Sequence, residues 1–314
     1  MELYKSRSFG DFFQDTFSFI KHNGIHLFKH FLIINGIFLL ILAVFLYFFS
    51  KFYSDLLFGG LYGQSGTTDF DTYINENGAL FFLLVFLFIL VALISAVISY
   101  AYLPIYMKLY DEHGGKNFGS SQVLKAYTSN IGKLLLFLIC GFILGIPLVI
   151  ALGIILFIFM ITIIGMLAIP FIIGGFSLFY QMSLMEYFQN KKGIWESFGY
   201  SWNLLTSKFW AAIGSVGLFL LMGYVAQYAL AIIPAMISFA DTMTSTGESA
   251  NYAAQDESVG ALIFMLSFFF LSFFSGVLIN VIVQINQGIV FYGLKEDNEN
   301  VKTKSIIDQI GSVE

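Results

Sequence analysis

Long apolar blocks alternate with short polar segments along this chain, and the blocks set the expected architecture. They lie at about 31–50, 79–104, 134–185, 209–238 and 260–293. A hydrocarbon core of about 30 Å needs about 20 apolar residues in a helix, so each block can cross a bilayer. The third holds no charged residue between Lys133 and Glu186. At 1.5 Å per residue it would form a helix of roughly 78 Å, too long for one crossing. Lysines flank it on both sides, Lys133 before and Lys191 and Lys192 after, which predicts two crossings and a return to the same side. Gly153, Gly165 and Pro170 are candidate turn residues, because each weakens or ends a helix.

Six spans follow, at about 28–50, 79–104, 133–157, 163–188, 208–238 and 260–293. Charge tests the count. With the N-terminus inside, 14 of the 15 Lys and Arg residues fall in cytoplasmic segments, and Lys51 at a span boundary is the exception. The outer loops receive Asp55, Asp69, Asp71, Glu76, Asp241, Glu248, Asp256 and Glu257. Bias of Lys and Arg toward cytoplasmic loops sets orientation, so the pattern predicts N-in and C-in. The first twenty residues carry Glu2, Lys5, Arg7, Asp11 and Asp15 and no short apolar core, unlike a cleavable signal.

Composition agrees. Hydrophobic residues make up 58% of the chain and charged residues 11%, with a mean hydropathy of +0.82. A soluble domain carries about 25% charged residues to cover its surface. One membrane domain, residues 1–296, is expected, followed by a cytoplasmic tail, 297–314. No basic run or aromatic RNA-binding motif is present, so no nucleic-acid partner is expected. The single cysteine, Cys140, excludes an intramolecular disulfide and a cysteine metal cluster.

Three of the polar segments resemble one another. Phe9, Phe12, Phe13, Phe17 and Ile20 stand at offsets 0, 3, 4, 8 and 11; Ile194, Trp195, Phe198, Trp202 and Leu205 stand at 0, 1, 4, 8 and 11. Val123, Leu124, Tyr127 and Ile131 form a shorter version. Such spacing gives one apolar helical stripe, and aromatics on it beside Lys or Arg suit the headgroup region. The expected plan is an all-α polytopic protein of three helical hairpins, each preceded by a cytoplasmic amphipathic interfacial helix.

Candidate chemistry is sparse. His22, His26 and His30, at i, i+4 and i+8, would share a helix face, and imidazole binds zinc or copper. No carboxylate or thiol nearby completes a site, and polar rings at the membrane boundary explain them without metal. The sixth span carries Asn280, Gln284 and Gln287, with Asn286 beside them. Intramembrane amides face other helices or a wet cavity, so this face is a candidate solute path or a set of interhelical bonds, with Gln181 and Gln227 as partners. Gly141 and Gly145 form a small-xxx-small pair for close packing. Asp69, Asp71, Asn75, Glu76 and Asn77 approach a calcium loop, but Tyr73 stands where an oxygen ligand is needed. Glu186 is the carboxylate that abuts a long apolar run, with Lys191 or Lys192 as its expected partner. No nucleotide, hydrolase or zinc-protease motif occurs, and no cofactor is expected.

The segment Glu186–Trp210, EYFQNKKGIWESFGYSWNLLTSKFW, resembles a pattern of bacterial multi-span families: a Glu, a short gap, a Ser-Trp with a following Thr, then Phe-Trp before a span. Ser201, Trp202, Thr206, Phe209 and Trp210 occupy the matching positions, with Glu186 and Trp195 upstream, and Val290–Lys295 is similar to the closing segment. These are the YciC-like proteins and the membrane domain that precedes some glycerophosphodiester phosphodiesterases. In the latter, catalysis belongs to an appended soluble domain, and none of the four histidines here is followed by Glu. The resemblance therefore implies a membrane fold without an activity.

The sequence leads to the expectation of a non-enzymatic protein of the bacterial inner membrane. Its partners would be membrane lipids, other membrane proteins or further copies of itself. Envelope lipid handling or scaffolding is the first reading, and a transporter or channel for an apolar or amphipathic solute the alternative.

Overall fold

A computed structural model describes residues 1–62, 70–245 and 253–302. Seven α-helices account for it, with no strand among the described residues: α1 Phe9–Tyr62, α2 Phe70–Glu112, α3 Ser120–Met160, α4 Ile163–Phe188, α5 Ile194–Ser207, α6 Phe209–Ser245 and α7 Ala253–Glu299. Six of them, all but α5, are long and apolar enough to cross a membrane. The most apolar stretch of α3 contains no buried residue, and that of α2 is only 6% buried. Apolar surface left so open is stable only where the surroundings are themselves apolar.

The helices are longer than a crossing requires. Asp55, Asp71, Glu76, Asp241, Asp256 and Glu257, assigned above to outer loops, lie within α1, α2, α6 and α7. Asn75 and Asn77 also fall in α2, so that part of the calcium-loop stretch is helical; Asp69, Glu248 and the tail from residue 303 lie outside the described residues. The turn within the long third block comes at Ile161–Thr162, between Gly153 and Gly165. Thr162 caps α4 by accepting the Gly165 N–H at 2.9 Å. A β-carbon on Gly165 would collide with the Phe159 carbonyl, so this close approach requires glycine.

The stretches expected to form separate interfacial helices differ. The first two are continuous with their spans in α1 and α3, and only the third stands apart, as α5. All three begin alike, with the N-cap N–H donating to a side chain three residues on: Ser8 to Asp11 at 2.9 Å, Gly119 to Gln122 at 2.5 Å and Gly193 to Glu196 at 2.9 Å. This is one arm of a capping box, which satisfies an otherwise orphaned donor.

The chain divides into two compact units, Met1–Ile34 with Ser99–Gly223 and Ile279–Glu314, and Asn35–Ile98 with Tyr224–Leu278. In the first, α7 is the central strut: Val281, Ile285, Ile289, Val290, Phe291 and Leu294 are all buried. α2 reaches it by laying Met107 over Gly288, and α6 by laying Gly223 against Ile279. α4 and α6 meet backbone to backbone, where a β-carbon on Gly174 would lie 3.1 Å from the Gly217 nitrogen. Gly141 and Gly145 form the groove expected of a small-residue pair: Tyr180 lies in it and donates to the Gly141 carbonyl at 3.2 Å. In the second unit, Phe45 and Phe49 pack edge-on against Phe88 at 5.7 and 5.3 Å, and Gln227 donates to the Ser272 carbonyl at 3.3 Å.

Candidate functional site

Two polar junctions fix α7 inside the first unit. The first is ionic. Gln189 ends α4, and Asn190 follows at φ 62°, a left-handed conformation that Asn tolerates better than most residues. That turn brings Lys192 back over the last turn of α4. Glu186, fully buried, accepts Lys192 at 2.8 Å on one carboxylate oxygen and Lys295 of α7 at 2.5 Å on the other. The Lys295 ammonium, itself 1% exposed, also donates to the Gln189 side-chain oxygen at 2.6 Å. Lys192 lies 3.2 Å from the centre of the Tyr200 ring, and the Tyr200 hydroxyl donates to Glu299 at 2.6 Å. Three helices and a loop are thus closed by charge-assisted bonds, the strong class of hydrogen bond.

The second junction is an amide. Asn286, fully buried, donates to Thr16 Oγ1 at 3.0 Å and to Ser215 Oγ at 2.9 Å, so α7 is bonded to α1 and α6 at one point. Gln287 donates to Ser177 of α4 at 2.8 Å, and Gln284 donates to Asn280 on its own helix at 2.5 Å. The expected amide face therefore divides: Gln284 and Gln287 are buried, while Asn280 is exposed. Gln181 is fully buried, and neither atom of its amide has a partner among the described residues.

The three histidines are engaged separately. His22 bonds the Ser18 carbonyl at 2.8 Å and His30 the His26 carbonyl at 2.8 Å, each one turn back on α1. Both ring nitrogens of His26 are taken, by the Tyr106 hydroxyl at 2.9 Å and the Phe118 carbonyl at 3.0 Å. No group of three His, Cys, Asp or Glu side chains that could hold a metal occurs among the described residues.

The aromatic segment sorts by face. α5 buries Ser197, Phe198, Ser201, Leu204 and Leu205, while Trp195 and Trp202, seven residues apart, are 56% and 57% exposed. Phe209 is on the margin and Trp210 is 85% exposed. All three tryptophans of the chain thus stay outside the packed interior.

The contacts that close this end escaped sequence reasoning. Arg7 is 1% exposed, with its guanidinium bonded to Asp15 at 2.8 Å and to the carbonyls of Leu3, Lys5 and Glu2. It folds the first residues back against α7, where Tyr4 meets the Tyr292 ring edge-on at 4.9 Å. Glu2 pairs with Lys302 at 2.8 Å, so the first and last described residues lie at the same end of this unit. That pairing holds the Glu2 carboxyl below its usual range. Burial raises the Tyr4 phenol, and burial with the bond to Glu299 raises that of Tyr200.

Compared with protein-family models, with curated proteins and with solved structures, the chain finds no match in any of the three. Function has to be argued from its own geometry.

Proposed function

We propose that this chain is a non-enzymatic, multi-pass protein of the bacterial inner membrane that handles envelope lipids. Its two ends and all its lysines but Lys51 face the cytoplasm, and its plan is an amphipathic helical stretch that leads into two spans, three times over. The three matching N-caps support the repeat. An even number of spans and the Glu2–Lys302 pair support termini on one side. The exposed Trp195, Trp202 and Trp210 support a seat for α5 at the headgroup level, where amphipathic rings are favoured. Likeness to the YciC-like proteins belongs to the same reading, since Glu186 and Lys295, each in one of the two segments that carry it, are directly bonded.

One observation carries the choice of a lipid role over chemistry or transport. Buried charge and amide are used to join helices: Glu186 has both oxygens occupied by ammonium groups, and Asn286 bonds two neighbours at once. A carboxylate so occupied is neither a free base nor an open metal ligand. A solute path along the sixth span would need Gln284 and Gln287 open to a cavity, and both are buried. What the fold leaves open is apolar helix surface and aromatic rim.

Native mass spectrometry of the detergent-purified chain tests the proposal. Retained phospholipid is expected. Loss of all phospholipid, with no co-purifying protein either, would overturn both the lipid role and the scaffold role.

A further inference from the structure

Where the end of α2 runs beside the start of α3, a groove of about 230 Å³ opens, largely apolar inside and edged by polar side chains. Lys108, Glu112, His113, Gln122, Lys125 and Ser129 are among its lining. We propose that this groove binds the phosphate-bearing headgroup of an anionic phospholipid from the cytoplasmic leaflet, with an acyl chain laid along α3. The inference rests on the lipid reading above and gives it a lipid class and a place.

Charge is the first argument. Lys125 is exposed, and its ammonium has no ion pair or hydrogen bond among the described residues. Lys108 donates to the Phe188 carbonyl at 2.8 Å and approaches Glu112 at 3.9 Å, which leaves it further N–H donors. Gln122 accepts the Gly119 N–H through its oxygen, so its amide donors are unspent. Lys133, about 12 Å further along α3, does not add to them, because it donates to the Asn190 side-chain oxygen and lies over the Tyr187 ring. Against these cations stands Glu112, half exposed at the rim and partly offset by Lys108. Basic pockets between helices on the cytoplasmic side suit anionic headgroups.

Shape is the second. From Ser129 in the groove, an exposed stripe runs up α3 through Gly132, Leu136, Ile139, Ile143 and Ile146. These steps of three and four residues keep to one helix face. Leu136 to Ile146 covers about 15 Å, the depth of one leaflet. A free phosphate would use the lysines and leave that stripe unused. A diacyl phospholipid matches both.

The test titrates the full purified chain with phosphatidylglycerol or phosphatidylcholine of identical chains and counts bound lipids by native mass spectrometry. A several-fold preference for phosphatidylglycerol is expected. Lys125→Gln should reduce it about fivefold, near the contribution of one lysine at an anionic surface, and Lys125→Arg should restore it. Ile139→Asn should weaken both lipids equally. Glycerol phosphate in millimolar excess should not compete. Equal retention of the two lipids, or a preference untouched by Lys125→Gln, would overturn the groove while leaving a lipid role standing. Competition by glycerol phosphate would replace the lipid with a soluble phosphate and overturn it too. Loss of every bound lipid would remove the proposal together with the reading beneath it.

Discussion

Breaking the buried Glu186–Lys295 pair from one side should cost far more than removing it whole. Glu186→Met leaves Lys295, 1% exposed, with only the neutral Gln189 oxygen as acceptor. An ion stranded in that way costs about 3–5 kcal/mol. Lys295→Met is milder, because Lys192 still donates to Glu186 at 2.8 Å, and its cost should sit at the low end of that range. In the double variant no unpaired buried ion remains. Lys192 keeps the Tyr200 ring at 3.2 Å and Glu299 at 3.7 Å, and two methionines fill the space. The double variant should therefore lose only about 1 kcal/mol, a coupling of several kcal/mol between the two sites.

Cys140 supplies the assay. It is the chain's single cysteine and is buried, so a fluorogenic maleimide reports unfolding as the detergent-purified protein is heated. The Tm of Glu186→Met should fall on the order of 10 °C, using a few degrees per kcal/mol for a chain of this size. The double variant should stay within a few degrees of the parent. If its loss equals the sum of the single losses, the pair is not an energetic unit and the clamp argument fails.

Gln181→Met should raise Tm by several degrees, since a buried amide without partners costs about 1–3 kcal/mol per unsatisfied group; a fall would show that the amide holds a partner in the membrane. Gly217→Ala should destabilise by about 1–3 kcal/mol, because its β-carbon would lie 2.7 Å from the Phe171 Cα. Gly132→Ala, with open space around it, should be neutral or mildly stabilising in the same assay. Lipids brominated near the headgroup should quench tryptophan fluorescence more than lipids brominated near the chain end, because all three tryptophans are exposed around α5; stronger deep quenching would refute the headgroup seat. Tyr200 has its phenol pKa raised by burial and by Glu299, so its contribution is whole below about pH 10, the ordinary phenol value, and is lost as pH rises beyond it. Tyr200→Phe should then lower Tm at neutral pH yet flatten the alkaline decline.

The spans were legible because bilayer thickness imposes a length that any 20-residue apolar run either meets or does not. Six helices are long and apolar enough to cross, and the turn in the long block fell between two of the glycines marked for it. Which glycine mattered was not legible, since Gly165 is required by the position of one carbonyl in the folded turn. Partners were the harder part. Glu186 stood out beside an apolar run, and Lys192 was foreseen, but Lys295 read as a topological charge at the end of a resembling segment and not as a partner, because 109 residues separate it from Glu186. Asn286 lay off the amide face defined by Asn280, Gln284 and Gln287, and its hydroxyl partners Thr16 and Ser215 are too common in apolar helices to mark a contact. The histidine spacing described one helix correctly, yet the bonds of His26 reach across to Tyr106 and Phe118. Periodicity describes a helix in isolation, whereas burial in a membrane protein is decided by which neighbour arrives. An amide in a span is the same letter whether it lines a path or ties a bundle. The deciding quantity is the number of partners it finds: Asn286 bonds two neighbouring helices, and Gln181 none. That difference makes Asn286 a fixture of the fold and leaves Gln181 as the place where buried polarity is still to be accounted for.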